Sequence, residues 1–239
     1  MASILDRYGI KEVADVVFYN IENNGEPGAP VLYLDSLKVS TLEQTAETVY
    51  AQGGKGNPRL IGWDFGKEIT LTLEDALFSP KSMAIMFGDG KVDAVGSVLK
   101  TITFTGKTAP SVWVDANGKD HPISGGKTYD AEGNEVTDLK DNETYFLKFN
   151  LTIEGQTIEI SPDSFPGTYY ITGDTYARSE VTGKDEYFQF VVYKGKVTSE
   201  NSITMEAEGD PSVFNMTVDV LRANINGENK MMELIKYSL

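Results

Sequence analysis

A chain of 239 residues with 40% hydrophobic and 24% charged residues has the composition of a folded globular protein, long enough to bury a sizeable core. Its 21 basic residues against 36 acidic ones give a formal charge of −15, which opposes tight wrapping of nucleic acid or docking on anionic membranes. With no cysteine, the chain has no disulfides, thiolate metal sites or cysteine nucleophiles, and its redox compartment stays open.

In chain order, residues 1–8 lack a basic stretch leading into an apolar one, so no secretory signal is expected. No apolar run approaches the roughly 20 residues that span a bilayer. A protein folded in a cytoplasm, without a membrane partner, is the resulting expectation. Residues 10–21 are ambiguous, because Val13, Val16 and Val17 fit a helical period while Val16-Val17-Phe18-Tyr19 suits a strand. Residues 52–58, Gln-Gly-Gly-Lys-Gly-Asn-Pro, are too rich in glycine for a regular element and read as a loop. Period-2 alternation begins at 69–73, with Ile69, Leu71 and Leu73 on one face and threonines on the other, and repeats at 101–105.

Between these two strands, Ser79 as cap, Pro80 in the first turn and Gly88 as a left-handed stop predict a short helix. Its Met83, Ile85, Met86 and Phe87 suit an apolar plug over a sheet edge. Residues 115–141 change character, with turn dipeptides Asn117-Gly118 and Gly125-Gly126 and the turn Glu132-Gly133-Asn134, and predict a polar hairpin insertion. The longest alternation follows, where Tyr145, Leu147, Phe149, Leu151 and Ile153 share a face; Gly155-Gln156 is expected to turn the chain into a return strand at 157–160. Further strands are predicted at 168–172, 186–193, 202–207 and 213–221, the last pair forming a hairpin around Gly209-Asp210-Pro211. There Phe214, Met216, Val218 and Val220 point inward. The aromatic content reads as core. These elements predict an all-β fold of two packed antiparallel sheets with one short flanking helix, forming a single domain over 1–239 with 115–141 inserted.

Four constellations offer themselves for chemistry and none carries it. His121 is the only histidine, lies in the polar insertion, and has no Gly-x-Ser-x-Gly elbow to serve. Gly53-Gly54-Lys55-Gly56 lacks the spacing and the strand–helix frame of a phosphate loop. Asp115-Ala116-Asn117-Gly118-Lys119-Asp120 begins like a calcium loop, yet Gly126 stands where the bidentate Glu is needed. Glu206 and Glu208 alternate onto the polar face of a strand rather than converging as an acid–base pair. No catalytic residue, cofactor or metal is expected.

Residues 42–88, about a fifth of the chain, resemble the major tail tube proteins of long-tailed phages. The matching order is Thr45-Ala46-Glu47-Thr48-Val49-Tyr50-Ala51, then Gly53-Gly54-Lys55-Gly56-Asn57, then Trp63-Asp64-Phe65-Gly66-Lys67-Glu68, then Ile69-Thr70-Leu71-Thr72-Leu73-Glu74-Asp75-Ala76-Leu77, and the 79–88 helix. The resemblance implies a self-assembling virion structural protein that forms hexameric rings, stacked into a tube that conducts DNA during ejection without binding it specifically. It implies assembly in the bacterial host cytoplasm, a place in the virion tail, and tape measure, terminator, baseplate and, in contractile tails, sheath proteins as partners. Under that reading Gly53, Gly54, Lys55, Gly56, Asn57 and Pro58, together with Asp115, Asn117 and Asp120, are the expected assembly contacts. Glu206, Glu208 and Asp219 are the expected acids of the bore. The alternative is another β-sandwich virion component, a decoration or baseplate protein acting as a binding module.

Overall fold

The computed structural model describes residues 6–198, 201, 203 and 213–238. Its first elements are β1 (Tyr8–Ile10), β2 (Asp15–Ile21), β3 (Pro27–Leu34), β4 (Leu37–Gln52), β5 (Arg59–Asp75) and α1 (Pro80–Phe87). There follow β6 (Asp93–Thr105), β7 (Val112–Val114), β8 (Asp120–Pro122), β9 (Lys127–Tyr129) and β10 (Thr144–Thr157). The chain then runs through β11 (Thr168–Ser179), β12 (Asp185–Val197), β13 (Phe214–Val220), β14 (Ala223–Ile225), β15 (Glu228–Lys230) and β16 (Met232–Tyr237). All pairings among these strands are antiparallel. The fold is all-β with one short helix, and the ambiguous stretch at 10–21 resolves into β2.

Two compact units divide the chain, one from the segments before Val92 and after Thr157, the other from 92–157. The first is a nine-stranded sheet in the order β3-β2-β11-β12-β13-β5-β4, with β1 added to β11 and β16 to β12. One face of these strands feeds a single core: Val16 and Phe18 from β2, Ile171 from β11, Val192 from β12, Leu71 and Leu73 from β5 and Val218 from β13. Burying each such side chain is worth about 1.5–3 kcal/mol, so this shared face dominates the unit's stability. Gly173 lies under the Phe190 ring, where a Cβ would sit 2.1 Å from the ring edge.

The helix packs as an apolar plug: Ala84, Ile85 and Met86 are buried, and the last two join the main core. Ser79 caps it reciprocally: its Oγ accepts the Ser82 N–H at 3.0 Å while Ser82 Oγ accepts the Ser79 N–H at 2.9 Å. Ser79→Ala is therefore expected to cost about 1 kcal/mol in urea unfolding with an unchanged denaturant slope. Gly88 is extended rather than left-handed; Gly90 takes the positive φ of 81° and donates its N–H to Ala84 O. The stop is displaced by two residues.

The second unit pairs β6 with β10 over almost their whole length and adds β9, while β7 and β8 form a separate hairpin. Leu147, Phe149 and Leu151 form its core with Val98, Ile102, Phe104, Trp113 and Ile123. The return strand expected after Gly155 does not exist. Gly155 pairs with Val95 in a continuing β10, beside an irregularity between Thr152 and Gly155, so this glycine marks a bulge. The segment 115–141 lies wholly inside this unit. The strand at 202–207 and the turn at 209–211 fall outside the described residues.

Candidate assembly surface

β4 and β5 form a hairpin whose base is buried in the core through Leu37, Ile69, Leu71 and Leu73 and whose distal half is not buried at all. From Thr41 to Glu68 every residue is exposed except the half-buried Ala51 and Gly53. At about 3.3 Å per residue, the part beyond Gln44 reaches roughly 25 Å past the core. The tip is residues 52–58, held by Asn57 N–H to Gly54 O and Gly53 N–H to Pro58 O, with Gly54, Gly56 and Asn57 in positive φ. Glycine is needed there because the left-handed region costs other side chains energy. Gly53, Gly54, Lys55, Gly56, Asn57 and Pro58 are thus brought together at one projecting point.

One side of the arm is apolar. The register pairs Val49 with Trp63 and Ala51 with Ile61, and Phe65 lies opposite Glu47. Val49, Ile61, Trp63 and Phe65 are 51%, 56%, 53% and 49% exposed. On the other side Thr48 Oγ1 donates to Asp64 Oδ1 at 2.6 Å, and the Arg59 guanidinium lies 4.1 Å over the Tyr50 ring. Between Glu47 and Asp64 the only charged residues are Lys55 and Arg59, a basic tip on a chain of net charge −15. A two-stranded ribbon is marginal alone in water, so an arm exposed on both sides is stable chiefly when something covers it.

The two borders of the sheet differ. β3 carries Pro27 and Pro30, which lack the N–H that an added strand would use. β4 has no proline in 16 residues, only Lys38, Glu43 and Glu47 as charges, and, among the described residues, no strand on its outer side. Such a border can accept another strand along its length.

Asp115, Asn117 and Asp120 lie in the second unit, on the β7–β8 hairpin. Asp115 Oδ1 accepts the Asn117 and Lys119 N–H groups at 2.9 and 3.0 Å, and Oδ2 meets His121 Nε2 at 2.9 Å. The His121 hydrogen bond, helped by those backbone donors, holds the Asp115 carboxyl at about 2, well below the usual range. Because the folded value is depressed, the associated stability is present above about pH 4 and is lost as pH falls towards 2. In a Trp63→Phe background, Trp113, whose ring lies 5.4 Å from His121, should report that loss by fluorescence, and Asp115→Asn should remove the acid-dependent part. Asp219 is exposed on β13, on the side of the sheet opposite the core. Glu206 and Glu208 lie outside the described residues.

Sequence reasoning missed the length of the arm and the place of the tyrosines. Tyr19, Tyr170 and Tyr193 pack edge to face at 6.3 and 5.7 Å, and Tyr176, Tyr187 and Tyr237 form a second row at 5.3 and 5.1 Å. They lie on the side of the sheet away from the core, which corrects the reading of the aromatics as core alone.

Among the described residues, the all-β body presents a proline-free border and an exposed apolar arm, surfaces that another chain could cover. The chain belongs to the YomU/Tube protein family, whose model matches residues 8–234. No curated protein matches it.

Proposed function

We propose that the protein is the repeating subunit of a phage tail tube, assembled from identical copies into stacked hexameric rings that conduct DNA during ejection. The arm is the observation that carries this reading: a ribbon with an apolar side, a basic tip and an open outer strand gains stability only on being covered. Family membership supports the same assignment, since the family is one of tube proteins. In this reading β4 and the 52–58 tip make contacts between copies, and Asp115, Asn117 and Asp120 make further ones. No catalysis is part of the role. The subunit is assembled in the host cytoplasm, takes its place in the virion tail beside tape measure, terminator and baseplate proteins, and lets DNA pass without specific binding.

Electron microscopy of the purified, concentrated protein tests this. Long hollow filaments of uniform width are expected. Monomers or small closed oligomers at every concentration would instead indicate a decoration or baseplate module.

A further inference from the structure

We propose that the tyrosine-bearing side of the β3-β2-β11-β12-β16 region faces the bore of the tube; this rests on the tube-subunit reading and assigns which side of the sheet the cargo meets. The sheet has two sides, and one is consumed by the core. The apolar stripe of the arm is the other uncovered surface, and its chemistry calls for burial between copies rather than for water. The remaining broad side carries the tyrosines together with Asp15, Val17, Thr172 and Asp174. Register places Tyr19, Val17 and Asp15 of β2 opposite Tyr170, Thr172 and Asp174 of β11, with Tyr33 of β3 beside Val17.

Cargo that carries phosphates would stick to free cations, because each neutralised phosphate releases counterions. This side offers few. Arg178 is held by Asp185 through two hydrogen bonds of 2.7 Å, Lys230 is paired with Glu233 at 2.9 Å, and Lys196 donates to the Pro166 carbonyl. Lys11 and Arg178 line an open cleft at one end with Glu12 and Asp185, acid for base. Asp15, Asp174 and Asp219, by contrast, have no ion pair among the described residues, and Asp174 is only hydrogen-bonded by Gln189 Nε2 at 2.9 Å.

The Tyr33 and Tyr193 phenols are held neutral. Asp15, burial and Asp35 raise the titration of Tyr33, while burial, followed by hydrogen bonding to Glu233, pushes Tyr193 up to about 12. A row of fixed, neutral hydroxyls interrupted by unpaired carboxylates is hydrated and repels phosphate, so it wets the wall without holding what slides past.

The chain has no native cysteine, so a single Thr172→Cys places one thiol in the middle of this wall. Unassembled protein should react both with N-ethylmaleimide and with a maleimide coupled to a protein too large to enter a narrow bore. In assembled tubes, reaction with the small reagent should persist and reaction with the large one should be lost. Persistence of both would place the wall outside, and loss of both would place it between copies; either result overturns the assignment. Tubes are scored by microscopy in the same sample, so an absence of tubes is recognised separately as failure of the tube-subunit reading, and the wall falls with it.

Discussion

Replacing Trp63 and Phe65 together with threonine is expected to leave the lone subunit folded and to stop its assembly. Both side chains are about half exposed in the subunit, so thermal melting should barely move, and threonine keeps the strand propensity of the arm. In an assembled contact the exposed halves would be covered. Half of an aromatic surface of about 150–250 Å², at about 25 cal/mol per Å², is worth roughly 2–3 kcal/mol. Two residues then carry about 5 kcal/mol per contact as a ceiling, or some three to four decades in association constant. The critical concentration for sedimentable polymer measures this. A double variant that polymerises at the wild-type concentration would remove the apolar stripe from the interface.

Gly173→Ala should be among the most destabilising single-methyl changes in the body. The added Cβ would lie 2.1 and 2.2 Å from two carbons of the Phe190 ring, and that ring is buried with no flexible end to swing away. Overpacking of this kind costs about 1–3 kcal/mol, here at the upper end, and lowers the melting temperature by roughly 6–12 °C for a chain of this size. Trimming the ring should restore much of it, so Gly173→Ala combined with Phe190→Leu is expected to melt above the single variant. Thermal denaturation by circular dichroism checks both. A neutral single substitution would mean that the ring does not cover the glycine.

Alternation was legible wherever one face of a strand is buried and the other is not. Phe214, Met216, Val218 and Val220, inward by spacing alone, are buried, as are Tyr145, Leu147, Phe149 and Leu151, while Ile153 on that same face is half-buried and Phe146 on the opposite face is exposed. The arm is harder to read for a physical reason: from Thr41 to Glu68 neither side is buried in the subunit, so its rhythm is confined to short runs such as Ile61, Trp63 and Phe65, and the buried base at 69–73 carries the clearer signal. What marked the arm was sequence order shared with tail tube proteins. Gly155 misled because a glycine serves a bulge and a turn equally well, and only the partner strand, β6, decides which. The stop of α1 moved from Gly88 to Gly90 because either glycine could take it. Tyrosine hid the outer wall, since a residue that is both apolar and hydroxylated fits a core pattern as readily as a wet surface.

In the proposed tube the open outer strand and its arm are completed by identical copies. Amide hydrogen exchange along 41–52, compared between unassembled protein and sedimented polymer, addresses it at the groups concerned, because among the described residues the outward N–H groups of β4 have no partner strand. Strong slowing of exchange along this stretch on assembly, with the core strands β2 and β11 unchanged, is the predicted result. Polymer in which 41–52 exchanges as fast as in the free subunit would contradict the account.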